Sequence, residues 1–95
     1  MNERDSSAYG HAQRFIRALP LDTPDPTIDA EPDGDVSIDW HGSPPRTLSV
    51  SVNPEGMLHY AAFFGVDDKS HGTIRFCDGD PVPQEIVDLI ARVYA

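Results

Sequence analysis

The sequence predicts an α+β fold: an antiparallel four- to five-stranded meander sheet, with an N-terminal and a C-terminal helix packed on one face. Three observations carry this. Val36, Ile38 and Trp40 alternate with polar residues, as do Leu48, Val50 and Val52, which is the period-2 pattern of half-buried antiparallel strands. Segments rich in Pro, Gly, Asp and Ser separate the apolar runs, as turns do. Near the two ends, apolar residues recur at helical spacing: Ala8, Ala12, Phe15, Ile16 and Leu19, then Ile86, Leu89, Ile90 and Val93. One apolar sheet face and two apolar helix stripes bury each other most simply when both helices lie on that face.

Taken in order, residues 1–5 are expected to fray, and Ser6 or Ser7 to cap the first helix. Pro20 ends this helix, because it disfavours helical geometry at Leu19 and lacks an N–H donor. Leu21 is expected to add a last core contact. Residues 20–26 contain Pro20, Pro24 and Pro26 and form an extended linker. Residues 27–31 are a short edge strand with Ile28 and Ala30 inward. The turn at 31–35 leads into the strand 36–40, and the loop 41–46 into the strand 48–52. The next turn has Pro54 in its second position and Gly56 in its fourth. Leu58, Tyr60, Ala62 and Phe64 then point inward, an acidic turn spans 65–70, and Gly72, Ile74 and Phe76 face inward on the last strand. Trp40, Tyr60, Phe64 and Phe76 are assigned to the core. Residues 77–81 break the strand. Pro83 suits the first helical position, and Glu85 and Asp88 place negative charge near the positive end of the second helix.

Aligning the inward residues sets a register: Ile38 opposes Val50, Val50 opposes Tyr60, and Tyr60 opposes Ile74. A slip of one residue would swap every side chain to the other face. The outer face then carries three rows: Ser37, Ser51, His59 and Arg75; Asp39, Ser49, Ala61 and Thr73; Thr47, Phe63 and His71. Asp29 and Glu31 join the Asp39 side. This face is expected to be acidic at one edge, rich in Ser and Thr in the middle, and aromatic and basic at the other edge.

The 95 residues suit a single domain, 1–95, that buries roughly 60–65% of its unfolded surface. The formal net charge is −9, from 16 acids and 7 bases. Such a field repels phosphates and anionic membranes, which argues against direct nucleic-acid or membrane partners, and it attracts a basic protein surface. The single cysteine, Cys77, leaves no internal disulfide and fits a reducing cytoplasm, here that of a bacterial or phage-infected bacterial cell. Residues 1–5 are polar, so no signal peptide is expected, and no apolar run approaches the roughly 20 residues that span a bilayer.

Few constellations suggest chemistry. The segment from Asp29 to Asp39 places oxygens at alternate positions with Gly34 sixth, like the start of a calcium loop. Trp40 stands where the bidentate Glu belongs, and strand alternation explains the same spacing. His59 and His71 share the outer face, with Arg75 opposite His59 and Phe63 opposite His71. A neighbouring cation opposes metal binding there. Asp78 and Asp80 disfavour a Cys77 thiolate. Ser6, Ser7 and Ser43 have no nucleophile-elbow context, and no Gly-rich phosphate loop occurs. No catalytic residue, metal or cofactor is assigned. Phe63, between inward neighbours, is expected to be exposed. With Met57 and Tyr94 it would make an apolar patch for a partner or a second copy, so a homodimer is an open alternative.

The chain resembles a family of small uncharacterised bacterial proteins. The shared grammar is a helix ending in Ala18, Leu19 and Pro20, then Pro32, Asp33 and Gly34 before an alternating strand that ends in Trp40. Leu48 to Val52, Gly56, Tyr60 to Phe64, the pair His71 and Gly72, and a last helix from Pro83 complete it. The resemblance covers nearly the whole chain and implies the fold, but no activity.

The functional expectation is a small acidic, non-enzymatic protein-binding module. Its concrete form is a phage or mobile-element inhibitor, of the anti-CRISPR or anti-restriction type, that occupies a basic nucleic-acid-binding surface of its target. The partner-binding residues would be Asp29, Glu31, Asp33, Asp35, Asp39, His59, Phe63, His71 and Arg75. One alternative is an antitoxin or immunity protein covering a bacterial toxin; another is a small enzyme or metal-binding domain using His59 and His71.

Overall fold

The computed structural model describes residues 3–75 and 82–95, with side chains from Ala8 onward. The element order is α1 (Glu3–Arg17), β1 (Thr27–Ala30), β2 (Val36–His41), β3 (Thr47–Val52), β4 (Met57–Gly65), β5 (Asp68–Arg75) and α2 (Gln84–Val93). The strands form one antiparallel sheet in the order β1-β2-β3-β4-β5, a meander in which each strand pairs with its neighbours in sequence. The α+β architecture is thus the predicted one.

Alternation drives the sheet. Val36, Ile38 and Trp40 on β2, Leu48, Val50 and Val52 on β3, and Leu58 and Ala62 on β4 are all buried, while their polar neighbours face away. The two helices cover that apolar face, α1 over β2 and β3 and α2 over β2, β3 and β4. Ala8, Ala12, Phe15 and Leu19 enter the core from α1 and the turn after it, and Ile86, Leu89, Ile90 and Val93 enter it from α2. Trp40 sits at its centre, fully buried, with its ring edge-on to Phe15 at 6.4 Å between centroids. A buried indole needs an acceptor. Trp40 Nε1 donates to the Pro24 carbonyl at 2.9 Å, which ties the Pro-rich linker to β2.

Local chemistry sets the turns. Gly34 and Gly56 take the positive φ values, 95° and 87°, that close the turns after β1 and β3. Asn53 Oδ1 accepts from the amides of Glu55 and Met57 and braces the second of them. Gly42 has a different role. A Cβ built there would lie 2.0 Å from the Val93 carbonyl oxygen, so the bare backbone lets the end of α2 settle against the β2–β3 loop. Arg46 from the same loop donates through Nη1 to the Ala95 carbonyl.

Several expectations are corrected. The backbone is already helical at Glu3, so Ser6 and Ser7 lie within α1 instead of capping it, and residues 3–5 belong to its first turn. No Pro or Gly precedes Gly10 to stop the helix sooner. Leu21 is fully exposed, because the turn closed by Thr23 N–H on the Pro20 carbonyl swings it outward. Ile28 and Ala30 do lie on the inward side of β1, opposite Ile38 and Val36, yet both are exposed. Periodicity gives a residue its side of the sheet but not a cover, and α1 packs over β2 and β3, not over the edge.

The β4–β5 register is also displaced by two residues. Tyr60 opposes Gly72, and Ile74 opposes Leu58. The strands run on to Gly65 and Asp68 around a tight connection at Val66 and Asp67, so the expected six-residue turn is largely strand. A shift of two preserves the faces but changes every partner. Tyr60 and Phe64 are only partly buried, packed against the core's margin. The expectations for Phe76, Cys77 and the break at 77–81 lie outside the described residues, as do Met1 and Asn2. No helix among the described residues is long and apolar enough to cross a membrane.

Candidate protein-binding surface

Because both helices lie on one face, the other is open. None of its side chains is buried from Asp29 on β1 to Arg75 on β5. Its rows run Asp29, Ser37, Ser51, His59, Thr73 and then Thr27, Asp39, Ser49, Ala61, His71. The third row is His41, Thr47, Phe63 and Lys69.

One edge is the β1–β2 hairpin. It brings together five of the predicted residues. Asp29 and Asp39 stand on the open face, Glu31 and Asp35 flank the turn, and Asp33 sits at its tip. Glu31 N–H donates to the Asp35 carbonyl at 2.8 Å, and Asp33 Oδ1 accepts from Asp35 N–H at 3.1 Å. Ser37 Oγ donates to the Asp39 carboxylate at 3.2 and 3.3 Å. Residues 18–45 carry seven carboxylates and no Lys or Arg, so most of the net charge of −9 collects on this side of the sheet. Among the described residues no ion pair compensates Asp29, Glu31, Asp33, Asp35 or Asp39, so their field faces outward.

The far edge differs from expectation in its partners. His59 opposes Thr73, with Nδ1 and Oγ1 3.0 Å apart, and Arg75 opposes Met57. His71 opposes Ala61 and so lies diagonal to His59; Phe63 opposes Lys69. Sequence reasoning placed Lys69 in a turn and missed it. The signal was the polar–polar alternation from Asp68 to Thr73, which carries no apolar residue to mark a strand. Met57 and Phe63 stand at opposite ends of β4, about 20 Å apart at 3.3 Å per residue. Tyr94 follows α2 on the opposite face, so the expected Met57, Phe63 and Tyr94 patch does not form. No three His, Cys, Asp or Glu side chains among the described residues gather as metal ligands would.

On the helix face, polar side chains join α2 to the last hairpin. Tyr60 Oη donates to Glu85 Oε2 at 2.6 Å. Arg92 Nη2 meets Asp68 Oδ2 at 2.7 Å, and its guanidinium lies 4.0 Å from the centre of the Phe64 ring. The Tyr60 ring lies across Gly72, where a Cβ would come within 2.8 Å of the phenol oxygen. The bond to Glu85, and secondarily desolvation, raise the Tyr60 phenol above its ordinary 10.0. A group raised on folding stabilises the fold below its unfolded pKa and loses that contribution as pH climbs through the folded value. The wild type is therefore expected to lose a small alkaline increment of stability above about pH 10 that Tyr60→Phe lacks. Urea midpoints of both proteins on either side of that pH check it, and parallel pH profiles would contradict the coupling.

Alongside β1, a groove of about 240 Å³ is lined by Tyr9, Ala12, Gln13, Ile16, Arg17 and Ile28. A second, of about 330 Å³, lies between the end of α1 and the linker, with Leu19, Pro20, Leu21 and Pro24 among its walls.

No protein-family model, curated protein or solved structure matches the chain.

Proposed function

We propose that this chain is a small acidic, non-enzymatic protein-binding module whose β1–β2 hairpin meets a basic protein surface. The observation that carries the reading is the concentration of Asp29, Glu31, Asp33, Asp35 and Asp39 on one exposed hairpin that itself carries no Lys or Arg. Carboxylates fixed on a rigid sheet edge present negative charge at strand spacing, and a basic channel made for phosphates accepts such an array. In its concrete form the module is a phage or mobile-element inhibitor of the anti-CRISPR or anti-restriction type, which excludes nucleic acid from its target. An antitoxin or immunity protein would use the same surface against a toxin with a basic active site; a toxin gene beside this one favours that version, and a phage operon favours the first.

Pull-down from a bacterial lysate with mass spectrometry identifies the target, and the variant Asp29→Asn/Asp33→Asn/Asp35→Asn/Asp39→Asn tests the surface. Complementary charge acts strongly on encounter and is screened within about 8 Å at physiological salt. The variant is expected to bind at least about tenfold more weakly and with a flatter salt dependence. Equal binding by the variant would sink the mimicry reading.

A further inference from the structure

We propose that the partner engages the free edge of β1 by strand addition. An extended segment of the basic partner becomes a sixth strand, with an apolar side chain in the groove beside α1. This rests on the acidic-module reading and specifies how the partner docks.

The backbone parity of β1 supplies the first argument. Glu31 and Asp35 form a hydrogen-bonded pair at the turn. Bonded and non-bonded pairs alternate along an antiparallel ladder, so Asp29 and Thr27 bond to β2, while Ile28 and Ala30 turn their N–H and C=O groups away from it. Among the described residues β1 is the last strand of the sheet on that side, so these groups meet no further strand of it. An outward row of donors and acceptors is a template for another strand.

The second argument is the shape beside that edge. A sixth strand places alternate side chains next to Ile28, on the face bearing the 240 Å³ groove, whose apolar walls are Tyr9, Ala12, Ile16 and Ile28 and whose polar rim is Gln13 and Arg17. Tyr9 and Ile28 are 48% and 41% exposed, so an apolar side chain there removes from water two large residues that the fold leaves in it.

Charge selects the occupant. The residues of a sixth strand that face the open side would stand beside Thr27, Asp29 and Glu31, with Asp25 just before β1. Lys or Arg there complements them. A second copy added antiparallel does not: parity then forces odd-numbered residues of one β1 against odd-numbered residues of the other, so Asp29 would face Asp29, Glu31 or Thr27. Directly opposed like charges destabilise a strand pair.

The probe is a synthetic peptide alternating valine with lysine or arginine, titrated into the isotope-labelled protein. The expected result is amide shifts centred on Ile28 and Ala30, with slowed exchange of both amides. Ala30→Pro removes one outward donor without touching the ladder to β2 and is expected to weaken binding about tenfold. A copy of the peptide methylated on alternate backbone nitrogens should fail likewise, which keeps the test independent of any variant's folding. No shift at Ile28 or Ala30 at millimolar peptide overturns the proposal. So does a dimer that Ala30→Pro dissolves, which would assign the edge to a second copy. If Ala30→Pro and the methylated peptide bind normally while neutralising Asp29 and Glu31 weakens binding, the acidic surface stands and strand addition falls. If neither change matters, both readings fall.

Discussion

Trp40→Ala is expected to remove roughly 3–5 kcal/mol of stability, the range for deleting a fully buried large aromatic. A domain of this kind holds only about 5–15 kcal/mol in total, so the variant should stand near the folding threshold. Two losses combine. The core loses its largest buried side chain, with the edge contact to Phe15, and the Pro24 carbonyl loses its donor. Trp40→Phe separates them. It keeps an aromatic ring against Phe15 and abandons only the bond, which costs about 1 kcal/mol. Urea denaturation measures both, and amide exchange in residues 20–26 should quicken in Trp40→Phe, because the linker is then untied from β2. A Trp40→Ala loss under about 1 kcal/mol would contradict the placement of this residue at the core's centre.

Gly42→Ala should be the most damaging single-methyl addition among the described glycines. The new Cβ meets a backbone carbonyl, that of Val93, at 2.0 Å. Backbone cannot give way as the far end of a flexible side chain can, so the end of α2 must retreat from the β2–β3 loop. Overpacking of this kind costs typically about 1–3 kcal/mol, and the burial of Val93 and Ile90 puts this case at the upper end. Two other glycines calibrate it. At Gly72 the clash is with the Tyr60 ring, which can swing away at the cost of its bond to Glu85. At Gly65 a Cβ meets nothing within 4 Å, and Gly65→Ala should fall within about 0.5 kcal/mol of wild type. If Gly42→Ala and Gly65→Ala have equal urea midpoints, α2 does not dock as described.

The parts of the fold legible in the sequence were those with redundant apolar marks. β2 and β3 each carry three inward apolar residues, so only one face and one mutual register satisfy both. β5 carries Ser70, Gly72 and Ile74 on its inward side; a single apolar residue cannot choose between registers two apart, and the connection at Val66 and Asp67 decided it. β1 shows the opposite limit. Its alternation placed Ile28 on the correct side, but whether a helix reaches over an edge depends on where α1 crosses the sheet, which no local pattern encodes. The acidic hairpin was legible because its carboxylates fall within one short stretch of sequence, from Asp29 to Asp39. Neither the groove beside Ile28 nor the meeting of Arg92 with Phe64 and Asp68 was, since each joins elements distant along the chain.

The meander order has a kinetic consequence. Since every strand bonds only to its neighbours in sequence, no sheet contact requires the closure of a long loop, and the entropic cost of each closure stays small. The sheet can therefore grow hairpin by hairpin, at the rapid end of the range for strand-rich domains. The seat for α2 exists only once β2 and β3 are joined, because Gly42 and Arg46 in their connecting loop form part of it. Substitutions along the α2 seam should then act mainly on the rate of unfolding, and those in the β2–β3 pair mainly on the rate of folding.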